Sequence, residues 1–357
     1  MRNTLLGFTA FPYDLTAEAV TKTHQIILPN SDLYAIHMDR CLPWTQALAN
    51  APFPQWLERD WDDIAAQIPG THAVYVAVTP TSTDRCNKAA QCGDAAGEPK
   101  PLSRTIATAR YDATAVKTAY VNYLRRVIQR FKPIYLNIGI EISEMALVAP
   151  ALWPQYQALY LHTYSVLKNE FPALQIGIEL VLQSLMHPAV AKLVKPAVEA
   201  SDYIGISFYP YGSNFGVALG APPLDTPPDQ WRKPLEWLRT YTAKPIAVCE
   251  TGYTTKNIHL AGTNLTATGS IAMQLQFTKD IIEFAKKHDY RFLIWFVPVD
   301  YERLLNKISA GEEKHVWVNA GFYDSDLKPK SAWAEWRKFH QVPKSAAAMK
   351  VMQSPPF

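Results

Sequence analysis

The stretch Val127-Ile128-Gln129-Arg130-Phe131-Lys132-Pro133-Ile134-Tyr135-Leu136-Asn137-Ile138-Gly139-Ile140-Glu141 changes its period halfway along. Up to Phe131, apolar residues recur at helical spacing: Val116, Tyr120, Tyr123, Leu124, Val127, Ile128 and Phe131, with Asp112 placed to cap the start. Pro133 then forces a stop, because inside a helix it would remove a backbone donor and clash with the preceding turn. The next residues form a short run, β-branched and aromatic, that ends on a carboxylate. It reads as a strand buried on both faces.

Working outward, the same unit recurs. Runs of this kind lie near 5–12, 33–38, 73–79, 134–141, 174–182, 203–209, 245–250 and 291–297. Helical patterns fill the gaps near 153–170, 188–200, 230–241, 269–288 and 331–340, and Pro172 and Pro245 repeat the role of Pro133. Eight alternating units predict an α/β fold with a parallel sheet. In a chain of 357 residues they fit a single-domain (β/α)8 TIM barrel over 1–345, followed by a tail over 346–357. An open doubly wound sheet would bring a Gly-rich phosphate turn after an early strand, and the sequence has none.

Composition excludes several classes of function. The net charge is only +3 and no Lys/Arg cluster forms a phosphate-tracking stripe, which argues against nucleic acid. No apolar run approaches the ~18 residues of a membrane span. His162, His187 and His259 are scattered, so neither a metal nor another cofactor is expected. The 10 Trp and 18 Tyr incline the reading toward sugar-stacking surfaces. Of the four cysteines, Cys86 and Cys92 lie in one polar stretch and predict a loop disulfide, whereas Cys41 and Cys249 read as buried thiols. A disulfide implies a secreted or periplasmic protein. Residues Met1–Phe8 lack the features of a leader, so export would mean a leader already removed. Asn264-Leu265-Thr266 is a glycosylation sequon of the kind that also arises by chance.

In such a barrel, chemistry collects at the C-terminal strand ends. The long irregular stretches Thr79–Tyr111 and Tyr209–Gln230 come after the third and sixth strands and would shape that face. The fourth strand ends on Glu141 and the seventh, Pro245-Ile246-Ala247-Val248-Cys249-Glu250, on Glu250. Two carboxylates after apolar runs are what glycoside cleavage with retention requires, one to attack and one to carry the proton. The bland reading is a pair of structural carboxylates in internal salt bridges.

Four segments carry a resemblance. Asn137-Ile138-Gly139-Ile140-Glu141, Asp202-Tyr203-Ile204-Gly205-Ile206-Ser207-Phe208-Tyr209-Pro210-Tyr211, Val248-Cys249-Glu250-Thr251-Gly252-Tyr253 and Gly321-Phe322-Tyr323-Asp324 stand in order over about 134–330. This part of the chain resembles the clan A glycoside hydrolases, most closely the endo-β-1,4-galactanase (arabinogalactanase) type. The resemblance implies Glu141 as acid/base and Glu250 as nucleophile. It also implies Tyr209 beside the nucleophile and Trp295 as the platform under the sugar. Two features depart from the family. Ile140 stands where the family has Asn, and the family's second-strand Arg has no clear match among Tyr34-Ala35-Ile36-His37-Met38-Asp39-Arg40.

Other candidates keep two readings. His37 and Asp39 alternate on the second strand and face either the site or the helical layer. Glu179 is a ligand-binding carboxylate or an interior ion-pair partner, and Asn137 joins the substrate-binding set with it. Gln183 and His187 contact substrate or cap the next helix. Glu144, Tyr211 and Glu302 read as loop or rim residues. The expectation is thus a monomeric retaining hydrolase of a β-linked oligo- or polysaccharide. The alternatives are a glycan-binding barrel that has lost catalysis, motivated by Ile140, and an unrelated barrel hydrolase or lyase.

Overall fold

The computed structural model describes residues 1–211, 228–260, 265–308 and 315–353. Asn264 of the sequon and most of the stretch after Tyr211 lie outside the described residues. Eight parallel strands close on themselves: β1 (Leu5–Thr9), β2 (Leu33–Met38), β3 (Ala73–Val78), β4 (Tyr135–Asn137), β5 (Gln175–Val181), β6 (Tyr203–Phe208), β7 (Ile246–Thr251) and β8 (Phe292–Trp295). Each is succeeded by a long helix: α1 (Ala17–Ile27), α2 (Gln55–Gln67), α3 (Thr114–Phe131), α4 (Trp153–Glu170), α5 (Pro188–Ala200), α6 (Pro228–Tyr241), α7 (Ile271–Lys287) and α8 (Ser331–His340). The chain is a (β/α)8 barrel, with each strand beside its sequence neighbours and β1 beside β8. Among the described residues no helix is long and apolar enough to cross a membrane.

The chain divides into two compact units, one of Met1–Ala35, Val181–His187 and Gly205–Val351, the other of Ile36–Leu180, Pro188–Ile204 and Met352–Phe357. In the first, β1 is held on both sides, by Phe292–Trp295 and by Leu33–Ala35. Gly7 permits this approach, because a Cβ there would lie 3.0 Å from both Leu33 Cδ2 and its carbonyl oxygen. Asp32, just before β2, fastens the start of β1. It accepts from the Leu6 amide (3.0 Å), both arms of the Arg2 guanidinium (2.5 and 2.8 Å) and Lys344 (2.8 Å). Burial alone would raise the Asp32 carboxyl, but His340, Arg2 and Lys344 outweigh it and hold the group well below the usual carboxylate range. At the other end of this sheet, Leu293 pairs Val248 while Trp295 pairs Thr251, so β7 carries one extra residue. This bulge falls at Cys249–Glu250 and re-aims the strand end.

In the second unit, β4 is shorter than its apolar run. Past Asn137 the chain peels into a turn, although the Ile138 and Ile142 amides still donate to β5 carbonyls. Gly139 is required there, since a Cβ would collide with the Tyr156 hydroxyl. Helix α3 begins from Ala113, not Asp112, whose carboxylate is taken by Arg110.

The expected Cys86–Cys92 bridge is not formed. Cys92 pairs with Cys41, and Cys86 is a free, half-buried thiol. The reason is topological. Cys41–Leu42 and Ala90–Gln91 run side by side as a two-residue parallel ladder, which brings Cys41 to Cys92. Asp84 meanwhile fixes the Cys86 amide inside a separate tight turn. Cys249 is a buried thiol, as expected.

Both anchors can be tested through stability. Replacing both Cys41 and Cys92 by Ser should lower the unfolding free energy by about 4 kcal/mol on chain-entropy grounds, measured by denaturant titration. Asp32→Asn leaves Arg2 and Lys344 without their charged partner and should cost about 3–5 kcal/mol in the same assay.

Candidate active site

In the unit that contains Glu250, the carboxylate ends β7 and is buried. The Tyr209 hydroxyl donates to its Oε1 at 2.8 Å. Tyr209 is itself fixed from three directions. Gln183 donates from its side chain to the Tyr209 carbonyl, Thr251 ties β7 to the Phe208 carbonyl at 2.6 Å, and Gly252 leaves room for the ring. The expectation that Tyr209 neighbours Glu250 therefore agrees with the structure.

Trp295 does not form a platform. Its ring is fully buried, stacks on Phe322 at 4.2 Å and donates from its indole to the Ala320 carbonyl at 2.9 Å. Alternation along the strand explains the correction: Trp295 takes the helix-facing side, among Phe322 and Phe277, and the next residue turns the other way. That residue, Phe296, is part-exposed and lies edge-on to Tyr209 with ring centroids 6.3 Å apart. Around it stand Phe11 (6.1 Å), Tyr301 (6.3 Å) and Trp317 (6.0 Å). Trp317 also lies 6.4 Å from Tyr209, and its indole N–H has no hydrogen-bond partner among the described residues. Burial first, and the charge of Glu250 second, push the Tyr301 hydroxyl far above its ordinary range, so it stays protonated. Tyr209, the partner of Glu250, thus belongs to an aromatic group that no spacing rule picks out, because its members come from separate segments.

In the other unit, Glu141 comes after β4 with a left-handed backbone (φ 51°) and a side chain 24% exposed. Its partner is Arg85, from the loop after β3. Arg85 Nη2 and Nε donate to Glu141 Oε2 at 2.9 and 3.3 Å. Arg85 Nη1 lies 3.8 Å from Asp39 Oδ2, and His37 Nε2 lies 3.4 Å from the same oxygen. Burial lowers the affinity of Arg85 for its proton, but Glu141 and then Asp39 more than restore it. Burial would likewise raise the Asp39 carboxyl, yet His37 and Arg85 hold it below the usual carboxylate range. His37 and Asp39 therefore do line the Glu141 side of β2, whereas Arg40 is exposed.

Asn137 and Glu179 are buried and spent on each other, with Asn137 Nδ2 donating to Glu179 Oε2 at 2.5 Å. Asn137 also takes the Gly139 amide at 2.9 Å, which shapes the turn before Glu141. In this structure the two thus brace the turn that leads to Glu141. Gln183 holds the backbone of Tyr209, and His187 is exposed. Glu144 and Tyr211 are buried, unlike loop or rim residues, while Glu302 is half-buried and shared by Lys256, Asn319 and Ser325. Among the described residues, no three His, Cys, Asp or Glu side chains group as a metal site would need.

No protein-family model matches the chain, and no curated protein sequence matches it. In structure it is similar to the exo-β-1,4-mannosidase Op5Man5 from Opitutaceae bacterium strain TAV5, with a TM-score of 0.62 and 11% identity over 98% of this chain. It is also similar to the Bacteroides uniformis β-glucuronidase (TM-score 0.55, 12% identity, 94% of this chain) and to an uncultured Clostridium sp. β-glucuronidase (0.55, 13%, 95%). The chain spans 60%, 34% and 50% of those proteins. At such identities the likeness shows the barrel fold.

Tyr209→Phe tests the grip on Glu250 directly. Removing a buried hydroxyl from a carboxylate oxygen should lower the unfolding free energy by about 1–3 kcal/mol, read from urea unfolding of the two proteins.

Proposed function

We propose that the protein is a glycoside hydrolase that cleaves a β-linked glycan with retention of configuration. The observation that carries this is the setting of Glu250: a strand-end carboxylate that accepts from Tyr209, whose ring is bordered by the part-exposed rings of Phe296 and Trp317. A pyranose offers an apolar face to such rings while its anomeric carbon meets the carboxylate. The barrel architecture and the mannosidase and glucuronidases that share it support the same class. Disulfide Cys41–Cys92 supports an oxidising compartment, secreted or periplasmic.

Two carboxyl groups define the steps. An oxygen of Glu250 bonds to the anomeric carbon while the glycosidic C–O bond breaks, and the departing oxygen takes a proton from Glu141. Water then attacks the same carbon, returns a proton to Glu141 and breaks the bond to Glu250. Retention requires the two carboxyl groups about 5–5.5 Å apart, and the configuration of the first product formed is its direct reporter. His37 and Asp39 serve as hydrogen-bonding partners of the sugar beside Glu141.

A second reading rests on Ile140. Its side chain is buried and apolar, so it contributes no hydrogen bond to a sugar at the position where the resembling family has Asn. In that case the barrel binds glycan without cleaving it.

Reducing-sugar release from β-galactans, β-mannans, β-glucans and xylans, with aryl β-glucuronides and β-mannosides beside them, separates the two. Release by the parent chain, and a loss of at least about 10³-fold in both Glu250→Gln and Glu141→Gln on unactivated glycans, is the expected result. Retained turnover in Glu250→Gln would sink the mechanism. Quenching of tryptophan emission by a glycan that is never cleaved would favour the binding barrel.

A further inference from the structure

Arg85 combines an unusual backbone with an unusual side-chain setting. Among the described residues, six other than glycine have a left-handed backbone: Asn50, Arg85, Lys132, Glu141, Asp289 and Leu327. Asn50 and Lys132 end helices, where this conformation is ordinary. Arg85 and Glu141 are different, because they are bonded to each other through their side chains. Left-handed backbone away from glycine costs of order 1 kcal/mol or more and persists where the surroundings enforce it.

The enforcing structure around Arg85 is a turn built on Asp84. Its Oδ1 accepts from the Cys86 amide (2.8 Å), the Asn87 amide (2.9 Å) and the Ser82 hydroxyl (2.5 Å), and its Oδ2 accepts from the Asn87 side chain (2.6 Å). With neighbours on both sides pinned, Arg85 points inward and is 6% exposed. A guanidinium with that little water needs carboxylates, and it has them. The charged and titratable groups that face the Arg85–Glu141 pair are Asp39 and His37 from β2, Glu179 from β5 and Tyr156 from α4.

The detail that matters is which oxygen is held. Both donors of Arg85 converge on Glu141 Oε2. No hydrogen bond from a described residue reaches Oε1, and the carboxylate is part-exposed. We propose that Arg85 is the positioning residue of Glu141, holding Oε2 so that the proton enters and leaves through Oε1. The inference rests on the acid/base reading of Glu141. When the proton passes from Oε1 to the departing oxygen, the negative charge left on Glu141 falls on a carboxylate already bonded to a cation.

The test does not depend on turnover. The carboxyl carbon of Glu141 is observed by carbon-13 NMR in the full chain at one fixed pH and assigned with Glu141→Gln. The signal should move in Arg85→Met, which removes both donors to Oε2, and Arg85→Lys, which keeps a cation without the fork, should shift it less. An unmoved Glu141 signal in a folded Arg85→Met chain, checked by circular dichroism, overturns the proposal.

Kinetics adds a second arm. Arg85→Met should lose at least about tenfold in kcat on an unactivated glycan that the parent cleaves. It should stay within a few-fold on the 2,4-dinitrophenyl glycoside of the same sugar, whose leaving group needs no proton. Equal losses on both would mark a merely structural residue and overturn the assignment. If the Glu141 signal moves in Arg85→Met while the parent cleaves nothing in the panel, hydrolysis is refuted and the hold of Arg85 on Glu141 stands.

Discussion

The constraint on which the rest depends is the seating of β1 between the last strand and the second. A parallel barrel closes only if its first strand finds partners on both edges, and here it does so over four residue pairs on one side and three on the other. The fit is tight enough that Gly7 has no space for a methyl group. Asp32 secures the arrangement electrostatically. Its carboxylate joins the Leu6 amide of β1 to Arg2 before it and Lys344 near the end of the chain, so a buried charge is fully engaged. With the edges closed, no barrel strand is left to pair elsewhere, and the strand ends become fixed platforms for side chains.

Each platform is refined by a local departure from regularity. At β7 the extra residue opposite β8 re-aims the end of the strand, and Tyr209 then holds Glu250 by one oxygen. At β4 the ladder stops at Asn137. The Asn137 side chain then takes the Gly139 amide, and the turn delivers Glu141 with a left-handed backbone. Regular strands would not orient the two carboxylates this way.

The framework is legible in the sequence because its signals are local and repeated: helical spacing, a proline stop, then an apolar run. Glu141, Glu250 and Tyr209 are legible too, as polar residues at the ends of such runs. The features that escape depend on pairing across the sequence. Cys41 meets Cys92 through a two-residue ladder 51 positions apart, whereas sequence proximity points to Cys86. Trp295 falls on the opposite side from the one its strand-end position suggests, because one step of alternation decides whether a ring is buried in the core, and the part-exposed Phe296 is that step. Arg85 is hidden in a polar loop. Only the Asp84 turn, formed by short side-chain bonds, sends it inward to Glu141, 56 residues away.

The two carboxylates have chemically different partners. At Glu250 the Tyr209 phenol donates to Oε1. At Glu141 the Arg85 guanidinium donates twice to Oε2. Ile140 is packed in the core, and the donors to Glu141 come from Arg85 in the loop after β3. That loop is anchored by the Asp84 turn and, a few residues on, by the disulfide from Cys92 to the segment just after Asp39. Asp39, Arg85 and Glu141 are therefore positioned together, and a disturbance of the disulfide should reach Glu141 through Arg85 before it reaches the barrel.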